Sequence, residues 1–177
     1  MTRPERRRFL VLHDYGMGGV WWWVRAATPE EIPRRVAEVE VIDDPATMAK
    51  AEGWGLEVID LDAVDQHSPL WDMTQTRLRQ STAPGFARLV GRDRVWLRRI
   101  EEEPGAREVY FTEHGHDGRR VRQVRVTETG ERYRSTEEDW PFNPPDDLYD
   151  PELADNEILQ HIFEDEWHRA KPEPEWD

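Results

Sequence analysis

Three consecutive tryptophans, Trp21–Trp23, lie in a β-branched and aromatic segment that predicts a β-strand over 20–26. Side chains alternate between the two faces of a strand, so Trp21 and Trp23 point to one face and Trp22 to the other. A strand with large aromatic side chains on both faces needs cover on both faces. The triplet therefore predicts a sheet buried on both sides. Trp22 is then either part of the core or a contact for a ligand or partner.

The supply of other large apolar side chains is small. Leu, Ile, Val and Phe make up about one fifth of the 177 residues, which is close to the composition of disordered chains. Nine tryptophans compensate, because each buried aromatic side chain removes roughly 150–250 Å² from water. We therefore expect one folded domain over residues 1–170, followed by a frayed acidic C-terminus over 171–177.

The order of the predicted elements favours an α+β fold. The strand over 20–26 follows an extended segment and a glycine-rich turn, which together predict an N-terminal β-hairpin. Two or three helices follow, and then four extended segments that predict an antiparallel β-meander: 95–100, 108–113, 121–127 and 131–135. Strands and helices do not alternate regularly, which argues against a doubly wound parallel sheet.

A C-terminal amphipathic helix is predicted to pack on the meander. Asp150 and Pro151 form a typical helix start, because Asp caps free backbone N–H groups and Pro fits the first turn. The apolar residues that follow recur at helical spacing and predict one buried face: Ile158, Leu159, Ile162, Phe163 and Trp167.

The charge of the chain is concentrated in its last quarter. Residues 137–177 contain 15 acidic and two basic residues, which accounts for nearly all of the net charge of −14. As a partner surface this segment attracts basic proteins and repels nucleic acid. The residues that we expect to carry such binding are Asp146, Asp147, Asp150, Glu164, Asp165, Glu166 and Trp22. In the alternative interpretation the acids solvate a helix or pair with the arginines of the meander.

A second group of residues is compatible with metal binding. His114, His116 and Asp117 lie at the predicted tip of a hairpin, and imidazole and carboxylate groups are ligands for divalent metals. The same residues, flanked by Gly115 and Gly118, also form an ordinary turn. A metal site would need further ligands from elsewhere in the chain, which no spacing rule selects.

Other chemistry has no support in the sequence. The chain has no cysteine, which excludes disulfides and thiolate zinc sites. No serine lies in a nucleophile elbow, and the glycine-rich turn before residue 20 lacks the Lys-Ser/Thr pair of a phosphate-binding loop. The apolar run 9–12 is too short for a signal peptide, and no segment resembles a membrane span, so we expect a cytoplasmic protein.

Three hypotheses of function remain. The first is a small acidic protein-binding module, such as an immunity- or inhibitor-type protein that neutralises a basic partner. The second is a metal-assisted hydrolase that uses His114, His116 and Asp117. The third is a small-molecule or peptide sensor with a tryptophan-lined pocket. In the first case we expect a basic protein partner, no cofactor, no nucleic acid and no membrane, and a homodimer is compatible with the aromatic strand.

Overall fold

The computed structural model describes residues 5–174. They divide into two compact units, which lie within Met1–Phe86 and Ala87–Asp177. Both units combine helices with a mostly antiparallel sheet, so the predicted α+β class is confirmed. The expectation of one domain over 1–170 stays a prediction.

The first unit is built on a four-stranded sheet. Its strands are β1 (Arg7–Asp14), β2 (Gly19–Ala26), β3 (Glu40–Ile42) and β4 (Val58–Asp60). The order across the sheet is β3-β1-β2-β4, and β4 is parallel to β2 while the other neighbours are antiparallel. The predicted N-terminal hairpin is formed by β1 and β2.

Three helices accompany this sheet. They are α1 (Glu31–Arg35), α2 (Pro45–Ala51) and α3 (Trp71–Gln80). The start of α2 follows from local chemistry, because the Thr47 amide donates to the Asp44 carboxylate at 2.8 Å and Pro45 occupies the first turn.

The tryptophan triplet lies between two apolar clusters of the first unit. Trp22 is 6% exposed and packs with Val11 and Val24 in one cluster. Trp23 is 3% exposed and packs in the other, together with the partly buried Trp21. The prediction that β2 is covered on both faces is therefore confirmed.

The second unit is built on a five-stranded sheet. Its strands are β5 (Arg94–Glu103), β6 (Ala106–Gly115), β7 (Arg120–Val126), β8 (Arg132–Thr136) and β9 (Lys171–Pro172). The predicted meander is formed by β5 to β8 in consecutive antiparallel order. The expected frayed C-terminus is described only over 171–174, where β9 pairs in parallel with β8, while residues 175–177 lie outside the described residues.

Two short helices replace the single C-terminal helix that the sequence predicts. They are α4 (Pro151–Asp155) and α5 (Gln160–Arg169). The chain leaves the helix at Asn156 because the next residues bond to the edge of β5: the Arg98 amide donates to the Asn156 carbonyl and the Ile158 amide to the Trp96 carbonyl, both at 2.9 Å. None of the helices formed by residues 5–174 is long and apolar enough to cross a membrane.

Both faces of the second sheet carry buried side chains. Phe111 and Val124 pack on one face with Phe163 of α5. On the other face Val95 and Leu97 belong to a cluster that includes Leu148 of the segment after β8. That segment, residues 137–150, is called the strap below. It begins with a 3₁₀ turn, Glu137–Asp139, in which the Thr136 amide donates to the Asp139 carboxylate at 2.7 Å.

Candidate functional site

The carboxylate of Asp146 in the strap accepts hydrogen bonds from two side chains of the sheet, Arg99 and His114. Arg99 of β5 donates from Nη2 to Asp146 Oδ2 at 2.7 Å. His114 of β6 donates from Nε2 to the same oxygen at 2.7 Å, because a carboxylate only accepts hydrogen bonds. The alternation of β5 and β6 places Arg99 and His114 on one face of the sheet, where the strap crosses it. Asp146 therefore anchors the strap to the meander.

The environment of Asp146 holds its carboxyl group in the charged form. Burial by itself raises the pKa of Asp146, but the hydrogen bond from His114 and the charge of Arg99 outweigh burial and lower the pKa from 3.8 to about 2. The side chain of Asp146 keeps 28% of its exposure, while that of His114 has none. Asp146 is thus a structural carboxylate whose charge is already neutralised within the chain.

The strap is hydrogen-bonded to the β6–β7 turn and to strands β7 and β8. The Asp146 amide donates to the Gly118 carbonyl at 2.9 Å, and Asn143 Nδ2 donates to the Arg120 carbonyl at 2.8 Å. Trp140 donates from Nε1 to Ser135 Oγ at 3.3 Å. These three bonds hold the strap in position independently of the Asp146 carboxylate.

Arg120 and Trp140 form the side-chain contact above this turn. The Arg120 guanidinium lies 4.7 Å from the centre of the Trp140 ring, within the range of a cation–π interaction. Burial lowers the pKa of Arg120, an effect that the nearby charge of Asp146 partly opposes. Arg120 also donates to Gln123 Oε1 at 2.8 Å. Trp140 is therefore an internal partner of the sheet.

Two acids of α5, Glu164 and Glu166, pair with arginines of the meander. Glu164 accepts from Arg122 at 2.6 Å, and this hydrogen bond lowers the pKa of Glu164. Glu166 pairs with Arg132 at 2.6 Å. Arg122 also lies 4.9 Å from the Phe163 ring centre and 5.0 Å from that of Trp167, so it joins one carboxylate and two aromatic rings. A large part of the acidic charge is thus structural.

Eleven of the thirteen acids of residues 137–174 accordingly fall into two sets. The paired acids form ion pairs with arginines and are Asp146, Glu157, Glu164, Glu166 and Glu173. The outward acids are exposed to solvent and are Glu137, Glu138, Asp139, Glu152, Asp155 and Asp165. The outward acids are therefore the carboxylates of this segment that are most accessible to a partner.

The candidate binding residues that we derive from the sequence are distributed over these sets and the core. Asp146, Glu164 and Glu166 are paired acids, whereas Asp165 is an outward acid. Two more have local roles. Asp147 accepts from the Tyr149 amide at 3.1 Å, and Asp150 caps α4 by accepting from the Glu152 amide at 2.9 Å. Trp22 belongs to the core of the first unit.

The candidate metal ligands are not assembled into a site. His114 directs Nε2 to Asp146, and its Nδ1 is buried without a hydrogen-bond partner in the described part of the chain. His116 is exposed, and Asp117 accepts from the Arg119 amide at 3.1 Å within the turn. Among residues 5–174 no group of three or more His, Asp or Glu side chains is arranged to hold a metal ion.

The surface of the strap contains residues that the sequence did not single out. Phe142 is 56% exposed, and it follows the outward acids Glu137 and Glu138 by a few residues. The prolines close to Phe142 in the sequence are Pro141, Pro144 and Pro145. They could have pointed to this residue, because prolines restrict the backbone that carries the exposed aromatic side chain. No local sequence pattern indicates that Arg99 is a partner of Asp146.

Comparison with known proteins does not add a family. No protein-family model matches the chain, and neither a characterised protein nor a solved structure is significantly similar to it.

Proposed function

We propose that the chain is an acidic protein-binding module that holds a basic protein, in the manner of an immunity- or inhibitor-type protein. The observation that carries the proposal is the excess of outward acids over free cations in residues 137–174. Six acids are exposed there, while Arg169 pairs with Glu166 and Lys171 pairs with Glu131. The negative charge of this surface is thus not compensated by cations of the same segment.

Internal pairing strengthens this interpretation. The paired acids already neutralise arginines of the sheet, among them Arg99, Arg122 and Arg132. Those arginines are consequently not available to offset the outward acids. A surface with one sign of charge accelerates encounter with an oppositely charged protein and disfavours nucleic acid.

A test of the proposal is affinity capture with the full-length chain from extracts of the cells that express it. At about 0.1 M NaCl we expect one basic protein to be retained in a stoichiometric amount, and to be released as NaCl rises to about 0.5 M, because salt screens exposed charges. Retention of no stoichiometric protein, or of an acidic protein whose binding is unaffected by salt, contradicts the proposal.

Ligand sensing by tryptophan is a second candidate, and one observation favours it. Trp54 is 46% exposed and makes an edge-to-face contact with Trp21, with ring centres 5.3 Å apart. A ligand that binds there changes tryptophan fluorescence, and the change is smaller in Trp54→Phe than in Trp22→Phe. Equal changes in both variants, or none in a metabolite screen, contradict this candidate. The metal-assisted hydrolase has no comparable support, because its three residues do not converge.

A further inference from the structure

The outermost strand of the second sheet, β5, has a free edge over its second half. In the order β5-β6-β7-β8-β9 it has a neighbouring strand on one side only. On its outer side, the Trp96 carbonyl and the Arg98 amide are hydrogen-bonded to residues 156–158. None of residues 5–174 is backbone-bonded to the outer side of β5 beyond Arg98. The second half of this strand is therefore open to the addition of another strand.

Backbone alternation identifies the groups that are free at this edge. In an antiparallel pair, the N–H and C=O groups of every second residue point toward the partner strand, and those of the other residues point away from it. Since the Trp96 carbonyl and the Arg98 amide point outward, the N–H and C=O groups of Ile100 and Glu102 point outward as well. Both of these residues are exposed to solvent. Their backbone groups thus have the arrangement that an incoming strand pairs with.

The side chains along this edge define what the incoming strand presents. Ile100 lies opposite Val109 of β6, and Val109 lies opposite Val126 of β7. Ile100 is therefore the outer end of an apolar row across the sheet, and it is 42% exposed. The residues that follow it in β5, Glu101–Glu103, are all exposed acids. A strand with an apolar side chain beside Ile100 and basic side chains beside the acids complements this edge.

Charge decides between a second copy of the chain and a basic partner. Because Asn156 already occupies the position beside Arg98, two copies can pair through residues 100–103 only, and an antiparallel arrangement of these residues sets acid against acid. Like charges directly opposite each other destabilise a sheet. The outward acid Asp155 directly precedes Asn156 and adds negative charge at this place. The edge therefore favours a strand with positively charged side chains.

We propose that the outer edge of β5 at residues 100–103 is a strand-addition site, on which an extended basic segment of a protein partner forms a sixth strand of the sheet. The inference rests on the proposed function and names its point of contact. Main-chain hydrogen bonds to Ile100 and Glu102 hold the segment, and its alternating apolar and basic side chains lie beside Ile100 and the acids. The outward acids of residues 137–174 accelerate the encounter, and the edge fixes the orientation of the bound segment.

The experiment measures binding of a labelled peptide, Lys-Val-Lys-Val-Lys-Val-Lys, to the full-length chain by fluorescence anisotropy. The control peptide has the same sequence with an N-methyl group on every amide, so it keeps the charge and loses the backbone donors. We expect the control peptide to bind at least about fivefold more weakly, because strand addition needs those donors.

A variant of the chain tests the same hydrogen bonds from the other side. Ile100→Pro removes an outward N–H group, and proline is tolerated on sheet edges where this group faces solvent. We expect it to weaken binding of the unmodified peptide about fivefold. Urea denaturation checks that the variant is folded. If it is not folded, the N-methylated peptide and the charge variants decide.

The charge variants separate the edge from the rest of the acidic surface. E101Q/E103Q removes two carboxylates of the edge and spares Glu102, which is paired within the β5–β6 hairpin. We expect it to weaken peptide binding about threefold to fivefold. The matched control E137Q/E138Q removes the same charge from exposed residues of the strap and changes binding by less than about twofold.

Three results overturn the inference. The first is equal binding of the unmodified and the N-methylated peptide. The second is a loss in E137Q/E138Q as large as that in E101Q/E103Q, which means that net charge alone attracts the peptide. The third is a dimer of the wild-type chain that Ile100→Pro dissociates in sedimentation analysis, because a second copy then occupies the edge.

The same variants distinguish this inference from the proposed function. If a captured basic protein binds Ile100→Pro and E101Q/E103Q as tightly as wild type, the inference fails while the proposed function stands. If neither a basic protein nor the peptide binds the wild-type chain, both fail.

Discussion

Gly118 and Asp146 approach each other so closely that no side chain fits between them. Gly118 has a φ of +83°, and a Cβ atom placed on it lies 2.4 Å from the carbonyl oxygen of Asp146. The Asp146 amide also donates to the Gly118 carbonyl at 2.9 Å. The β6–β7 turn and the strap are therefore in direct backbone contact. This contact positions Asp146 for its ion pair with Arg99 and its hydrogen bond with His114.

Substitution of Gly118 tests this backbone contact. Gly118→Ala adds a steric clash to the strain of a positive φ, so we expect it to lower the free energy of unfolding by about 3 kcal/mol or more. Gly130→Ala is the matched control, because Gly130 has a φ of +84° and no atom lies within 4 Å of the position that its Cβ would take. We expect about 1–2 kcal/mol for Gly130→Ala in urea denaturation. Equal losses contradict the contact.

Removal of the Asp146 charge weakens the strap. Asp146→Asn leaves Arg99 and the buried His114 with a neutral partner, and we expect a loss of about 2–3 kcal/mol in the free energy of unfolding. Asp155→Asn removes an exposed carboxylate of α4 and changes the same quantity by less than about 0.5 kcal/mol. Urea denaturation at neutral pH measures both. A loss in Asp146→Asn no larger than in the control argues against the anchoring role.

The contribution of Asp146 depends on pH. Its pKa falls from 3.8 to about 2 on folding, so the stabilisation is complete above pH 3.8 and is lost as the pH falls toward 2. The shift corresponds to about 2 kcal/mol. We therefore expect the difference in unfolding free energy between wild type and Asp146→Asn to shrink by about this amount between about pH 5 and pH 2. A difference that stays constant over this range contradicts the lowered pKa.

The pair of Arg122 and Glu164 is expected to contribute to stability through its charges. A double-mutant cycle with Arg122→Gln and Glu164→Gln should give a coupling energy of about 1 kcal/mol, which falls at about 1 M NaCl as the charges are screened. The control cycle uses Arg107 and Glu102, whose side chains are 55% and 70% exposed. Its coupling is expected near zero. Similar coupling in the two cycles means that Glu164 is not fixed on the sheet.

Local patterns predicted much of the fold. The four extended segments indicated the meander, and Asp150 with Pro151 indicated the start of α4. The C-terminal helix was predicted as one element because its apolar spacing is regular. The break at Asn156 depends on hydrogen bonds to β5, which local periodicity does not contain.

The sorting of the acids could not be predicted from the sequence. Arg99 and Asp146 are 47 residues apart, and they meet only because of the register of β5 and β6 and the path of the strap. The sequence offered both interpretations, a partner surface and an internal pairing with the meander. The structure pairs Glu164 and Glu166 with arginines and leaves Asp165 between them exposed. Helical spacing separates these neighbours, but which side meets the sheet depends on tertiary packing.

The division of the acids into paired and outward sets is tested most directly by the melting temperatures of two triple variants that carry the same net charge. D146N/E164Q/E166Q neutralises three paired acids, and E137Q/E138Q/D165N neutralises three outward acids. We expect the first variant to melt at least about 8 °C below wild type, and the second to stay within about 2 °C of wild type. Equal melting temperatures of the two variants contradict the division.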